Sequence, residues 1–242
     1  MLNPSVFEFP TGRSIFAEGQ PFQYEFADEL PNVPALPETL LAMDLQLRSC
    51  PVDLCGVADA VLADLGATLQ ILRLAGREYG NADDRPTRIE DCICDLGLNA
   101  CLEAAANGIV RRAPYSQAIV ELWTHSREIA QYCRLLAELE LGAFRPQEAY
   151  LAGLLHGIGA LPEILGWDRC EFPSDPARAA RRMAERWRFP AFLKDFFREA
   201  CMPGNRSRWA RLLDDAHQLT MDSWAHCPLG DAGLPAAAVL HC

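Results

Sequence analysis

Helical periodicity is the feature of this sequence that most constrains its fold. From Pro37 onward, apolar residues recur at helical spacing, as Leu65 and Leu69 do, and no segment has the alternating pattern of a strand. Caps divide the pattern into successive helices: Asp64 can cap one helix, and TRIE at 87–90 has the form of a capping box that starts another. Because amphipathic helices bury their apolar stripes against one another, the sequence predicts an all-α fold.

Segment 1–33 differs in composition from the rest of the chain. The run FQYEF at 22–26 alternates with period two, which predicts a short strand or an extended arm. Aromatic residues are too frequent here for a solvated tail, so we expect the arm to pack on its own domain, with a partner's surface as the second alternative. Segment 225–242 is a C-terminal tail rich in Pro, Gly and Ala, and its pattern assigns no secondary structure to it. The aromatic residues of the arm are Phe7, Phe9, Phe16, Phe22, Tyr24 and Phe26.

Composition narrows the class of protein. Half of the 242 residues are apolar, which is enough for a sizeable core. The sequence contains no run of 18 apolar residues, so it predicts no membrane span. The net charge of −11 disfavours nucleic acid as a partner. The N-terminus lacks the pattern of a signal peptide, so we expect a cytoplasmic protein whose ten cysteines are free thiols. The sequence contains no C-x-x-C pair, so it does not predict a structural zinc site.

One short segment has the form of a catalytic motif without its reactive groups. GLLHGIGA at 153–160 resembles the signature of the HD superfamily of metal-dependent phosphohydrolases, roughly G-L-L-H-D-I-G-K. The frame around His156 is present. The metal-bridging Asp is replaced by Gly157, which has no side chain to bind a metal, and the Lys is replaced by Ala160. The segment therefore looks like the scaffold of an enzyme from which the chemistry has been lost.

The chain as a whole resembles the HDOD domain, an HD-related output domain of bacterial proteins. The resemblance implies an all-helical fold with an N-terminal helical lobe and an HD-like lobe, in a module generally regarded as a non-catalytic part of signalling proteins. We accordingly predict an arm over 1–33, the N-terminal lobe over 34–113, the HD-like lobe over 114–224 and a tail over 225–242. The similar segments are LPETL at 36–40, ADLGATLQILRLA at 63–75, RIEDCICDLGL at 88–98, WTHS at 123–126 and GLLHGIG at 153–159.

Remnants of a metal site can still be named. An HD-type enzyme needs His and Asp side chains that hold a metal to activate water. The candidates here are His125, His156 and Asp215, although each histidine could equally be a buried one bonded to a backbone carbonyl. The region where active relatives carry further histidines reads FREACMP at 197–203 and has none. We therefore expect no catalytic residue, no bound metal and no cofactor.

An arginine-rich helix is predicted to begin at Asp175-Pro176. Arg178, Arg182 and Arg186 form a row at i, i+4 and i+8, and such like charges repel one another unless acids offset them. The row is either a solvated face paired with acids elsewhere in the fold or a site for an anion or an acidic partner. The opposite, packing face is formed by Ala179, Ala180, Met183, Ala184 and Trp187.

The leading hypothesis for function is a signalling or regulatory module that binds a protein partner, with no role for nucleic acid or a membrane. Whether the chain also forms a homodimer stays open. Two other classes are kept as alternatives. One is a divergent HD-type phosphohydrolase that uses His125, His156 and Asp215. The other is a nucleotide or anion sensor that uses the arginine row without turnover.

Overall fold

A computed structural model describes residues 33–80, 85–107, 117–140, 142–167, 172–200 and 207–225. Within these ranges the chain is helical and has no strand, which confirms the predicted fold class. The predictions for the arm and the tail fall almost entirely outside them. The helices are α1 (Pro37–Arg48), α2 (Leu54–Leu62), α3 (Leu65–Tyr79), α4 (Ile89–Leu96), α5 (Leu98–Asn107), α6 (Gln117–Leu139), α7 (Pro146–Leu155), a 3-10 turn (Ile158–Ala160), α8 (Leu161–Ile164), α9 (Pro176–Arg186), α10 (Ala191–Glu199) and α11 (Arg208–Ala225).

Most helix boundaries follow the local signals in the sequence. Asp64 caps α3 by accepting hydrogen bonds from the backbone N–H groups of Gly66 and Ala67. The predicted capping box at 87–90 was wrong. Helix α4 begins at Ile89, one residue later than a Thr87 cap would allow, and no side chain caps it. Ile89 is 1% exposed, so this helix begins on a packed side chain and not on a side-chain cap.

The first five helices pack around α3. Every residue of α3 from Leu65 to Gly76 is buried, and α2, α4 and α5 all contact this helix. Helix α1 closes the group by packing on α2 and α5. The burial of α3 on all sides explains its nearly continuous apolar run, since no face of it meets solvent.

The remaining helices pack around α6 and α7. These two helices make the most extensive helix–helix contact in the described part of the chain. Gly153 allows their close approach, because a Cβ there would lie 2.8 Å from the Cα of Ala130 on α6. Helix α11 also packs on α6, α9 packs on the 3-10 turn, and α10 packs on α9. This crossing of α6, α7 and α11 positions the candidate site.

Asp64 also joins the two groups of helices. Its carboxylate, fully buried, accepts a hydrogen bond from Trp123 Nε1 on α6 at 3.0 Å and another from the backbone N–H of Leu36 at 2.6 Å. All described residues belong to one compact unit. The boundary near residue 113 between the two predicted lobes lies outside the described ranges and stays a prediction.

Among the described residues, no single helix has both the length and the apolar composition needed to cross a bilayer. Helices α2 and α3 meet that requirement only when taken together, and they are separated by a bend of 112°.

Candidate functional site

Three histidines from three helices meet at the crossing of α6, α7 and α11. The ring centroids of His125, His156 and His217 are separated by 5.1, 5.4 and 5.1 Å, which makes a nearly equilateral triangle. A ring nitrogen from each lies within 4.8 Å of one from either other ring. We call this group the histidine cluster. Within the described ranges no carboxylate or thiol joins it.

Backbone carbonyls orient two of the three rings. His156 directs Nδ1 at the carbonyl oxygen of Gly153, 2.7 Å away, and His217 directs Nδ1 at that of Leu213, 2.8 Å away. Because a carbonyl can only accept, each of these two Nδ1 atoms must carry the proton, and Nε2 is then the ring nitrogen that could bind a metal ion. The expectation that a histidine bonds a backbone carbonyl is therefore met at His156, and the same contact leaves that side chain able to act as a ligand.

Burial keeps two of the three rings neutral, those of His125 and His156. Desolvation, with a smaller contribution from His217, lowers the pKa of His125 to about 4. Desolvation lowers the pKa of His156 to about 3, assisted by repulsion from His217 and His125 and opposed by the Gly153 carbonyl. At neutral pH these two imidazoles are therefore uncharged, which is the form of histidine that binds metal ions.

The cluster does not fit the metal centre of an active HD enzyme. Gly157 occupies the position of the bridging Asp, and a Cβ there would lie 2.8 Å from Leu122 Cδ1 and 3.8 Å from Ser126 Oγ. The side chain of Leu122 thus fills part of the space that a carboxylate would need. Ser126 Oγ is buried and has no hydrogen-bond partner among the described residues. A single ion held by imidazoles alone would fit the donors that are present.

The predicted remnants are only partly brought together. His125 and His156 meet as the sequence suggested, but Asp215 is exposed and the third member of the cluster is His217. Two positions along an α-helix are separated by a rotation of about 200°, so Asp215 and His217 lie on different sides of α11. His217 was not among the predicted remnants, although it borders the apolar stripe of its helix, next to the fully buried Ala216.

The arginine row lies on the surface, as its periodicity predicted. Arg178 and Arg182 are exposed, Arg186 is half-buried, and the opposite residues of α9 are buried. Asp175, which caps the helix, also approaches Arg178 at 3.8 Å. For Arg182 and Arg186 the described part of the chain provides no ion pair. The packing face is confirmed, whereas the role of the row in binding stays a prediction.

Other chemical groups lie apart from the cluster. A surface cleft of about 710 Å³ is lined by residues that include Phe144, Arg208 and Trp209, and it contains none of the predicted site residues. The cysteines that the structure describes are free, and burial raises the pKa of Cys92 and Cys133 to about 12. Such thiols stay protonated at neutral pH, so these two cysteines are inert core residues.

The helical fold and the HD-like frame around His156 define the class of protein: an all-α domain related to the HD superfamily. The family model of the HDOD domain matches residues 33–168, which is more than half of the chain. The chain belongs to the HDOD domain family. The match ends well before α11, so His217 lies beyond it.

Solved structures share this fold. The crystal structure of the MmoQ response regulator from Methylococcus capsulatus str. Bath is 21% identical, with a TM-score of 0.65 over 83% of this chain and 91% of that chain. A virulence factor from Campylobacter jejuni subsp. jejuni is 19% identical, with a TM-score of 0.57 over 77% of each chain. At these identities the likeness establishes the fold.

Proposed function

We propose that this chain is a non-catalytic signalling or regulatory module that acts by binding a protein partner. The observation that carries the proposal is Gly157, which removes the bridging carboxylate from the HD motif at a position where Leu122 occupies part of the space. Without a carboxylate, a two-metal hydrolytic centre has no bridge between its ions. MmoQ, which has the same fold, is described as a response regulator, and this agrees with a role in signalling.

The alternative of a divergent phosphohydrolase lacks support from its proposed third ligand. That hypothesis needs a carboxylate from α11, and Asp215 is exposed on another side of the helix from His217. The test is hydrolysis of bis-p-nitrophenyl phosphate in the presence of Mg²⁺, Mn²⁺, Fe²⁺ or Zn²⁺. We expect no turnover above that of the metal alone. Metal-dependent turnover that His156→Ala abolishes would overturn the proposal.

The arginine row is the surface that we assign to the partner. Arg178 and Arg182 project from a helix whose other side is buried in the domain, and they expose cations on a chain with a net charge of −11. Such a patch attracts an acidic protein surface, whereas the rest of the chain, which is negatively charged, repels it. An acidic partner is therefore directed to the arginine row. The third alternative, a free nucleotide or anion, would use the same side chains.

The experiment compares two triple variants that change the net charge equally. In the first, Arg178, Arg182 and Arg186 are replaced by Glu. In the matched control, Arg48, Arg134 and Arg145, which are exposed on other helices, are replaced by Glu. Proteins captured from a bacterial lysate are identified by mass spectrometry, and binding of each purified candidate is then measured by calorimetry.

We expect the first variant to lose at least tenfold in affinity and the control to stay within a factor of three. Equal binding by both variants would remove the row from the interface. Saturable binding of a nucleotide or of inorganic phosphate that the first variant alone loses would instead favour the sensor hypothesis.

A further inference from the structure

We propose that the histidine cluster is a site for one transition-metal ion, bound by His125, His156 and His217, and that Zn²⁺ is the ion it suits best. We expected no metal because the HD motif lacks its bridging Asp, and that expectation took account only of the donors of the motif. His217 changes the donor set. The proposed site has three imidazoles, from α6, from the C-terminal cap of α7 and from α11, and it shares no residue with the partner surface on α9.

The distances allow coordination with small movements of the rings. Tetrahedral zinc binds histidine nitrogens at about 2.0–2.1 Å, which places two such nitrogens roughly 3.4 Å apart. The nitrogens of the cluster already lie within 4.8 Å of one another. Rotation of half-buried side chains such as His125 and His217 can close that difference without moving a helix.

The supporting contacts are those of a metal-binding histidine. A ligating imidazole usually donates its other N–H to a carbonyl or carboxylate, which fixes the ring and directs the lone pair at the ion. His156 and His217 make this contact through Nδ1 to the carbonyls of Gly153 and Leu213. Gly153 lies in the last turn of α7, just before His156, and Leu213 lies one turn before His217 on α11, so local helix geometry sets the orientation of both rings.

The chemistry of the donors selects the metal. Neutral imidazoles suit Zn²⁺, Cu²⁺, Ni²⁺ and Fe²⁺, whereas Mg²⁺, Ca²⁺ and Mn²⁺ prefer carboxylate and carbonyl oxygens. The described residues offer no carboxylate at the cluster. Three protein ligands also leave the fourth tetrahedral position of zinc for a water or another exogenous ligand. The replacement of the HD carboxylate thus changes the preference from hard cations to zinc.

The experiment uses the full chain without an affinity tag, because a histidine tag binds zinc itself. Protein stripped with a chelator is titrated with Zn²⁺ in a calorimeter, and histidine ring nitrogens labelled with ¹⁵N are followed by NMR. The NMR readout is needed because the exposed thiols of Cys50, Cys55 and Cys94 also attract zinc. We expect one Zn²⁺ per chain, a shift of the Nε2 signals of three histidines, and no competition from excess Mg²⁺.

Variants of the half-buried members separate a ligand from a core residue. His217→Ala should weaken zinc binding by more than the roughly 10- to 100-fold cost of changing an outer hydrogen-bond partner, and His125→Ala should do the same. His217→Asp keeps a donor and should bind zinc within about tenfold of the natural chain. The matched control replaces His226 and His241, the two other histidines of the chain, by Ala and should bind normally.

Circular dichroism of each metal-free variant checks that it is folded, so loss of binding is not loss of structure. If zinc binds to the natural chain but His125→Ala and His217→Ala bind it equally well, the site is elsewhere and the proposal is wrong. Absence of stoichiometric binding to the natural chain also overturns it. Neither result affects the proposed partner surface, which is measured with other variants.

Discussion

Asp64 and the histidine cluster are both buried polar centres, but the fold treats them in opposite ways. Asp64 is surrounded by N–H donors from Leu36, Gly66, Ala67 and Trp123, so its carboxylate is hydrogen-bonded on all sides. The cluster instead holds three imidazoles close together, and burial lowers the pKa of two of them. Asp64 is thus a structural hydrogen-bonding centre, whereas the cluster brings together three side chains of a type that binds metal ions.

Replacement of Asp64 should have the largest effect on stability. Asp64→Ala leaves four N–H groups without their acceptor, and we expect the free energy of unfolding to fall by at least about 3 kcal/mol. Urea denaturation measures this. Asp53→Ala, which removes the exposed cap of α2, is the control and should cost about 1 kcal/mol. Equal losses in the two variants would show that Asp64 is no more than a helix cap.

Acid should destabilise the metal-free protein through the cluster. The pKa of His125 is about 4 in the folded chain and near 6.5 in an unfolded one. The unfolded state therefore binds more protons between these values, and stability is lost as the pH falls from 6.5 towards 4. We expect His125→Gln to remove a part of this loss of the order of 2–3 kcal/mol. Parallel stability curves for the two proteins would contradict the assignment.

Restoring the missing carboxylate should not restore an enzyme. Gly157→Asp brings a Cβ to within 2.8 Å of Leu122 Cδ1, and we expect a loss of about 1–2 kcal/mol in thermal unfolding with no phosphodiesterase activity. Gly157→Ala separates the steric cost from the effect of the charge. Turnover by the Asp variant would mean that a single carboxylate is enough to make the histidine cluster catalytic, which would contradict this prediction.

The arginine row should have the smallest effect on stability. Arg178 and Arg182 are exposed, and the contact of Arg178 with Asp175 at 3.8 Å is a surface ion pair. Each single Arg→Glu substitution should change the free energy of unfolding by less than about 0.5 kcal/mol. Differential scanning calorimetry measures this. A larger loss would show that the arginine row contributes to the stability of the fold, as Asp64 is expected to do.

The sequence predicted the helices well because their signals are local. Asp64 caps the helix that it was expected to cap, α9 begins where the run Asp175-Pro176 predicted, and the packing face of α9 follows its periodicity. The capping box at 87–90 failed, since α4 begins at the buried Ile89 with no side-chain cap, and packing of this kind is a tertiary feature that a local motif does not report. The third member of the cluster was missed for a related reason. The family pattern drew attention to an Asp, whereas the apolar stripe of α11 turns His217 inward.

The backbone at Gly159, in the turn after His156, contacts the backbone at Pro176, where α9 begins, and this contact lies between the two proposed sites. A Cβ at Gly159 would lie 2.1 Å from the carbonyl oxygen of Pro176, so the backbones of the 3-10 turn and of the start of α9 touch with no side chain between them. The turn begins two residues after His156, and the helix carries the arginine row. A bound protein that displaced α9 would therefore also displace the turn that follows His156. The NMR signals of the His156 ring would therefore report the binding of a partner at the arginine row.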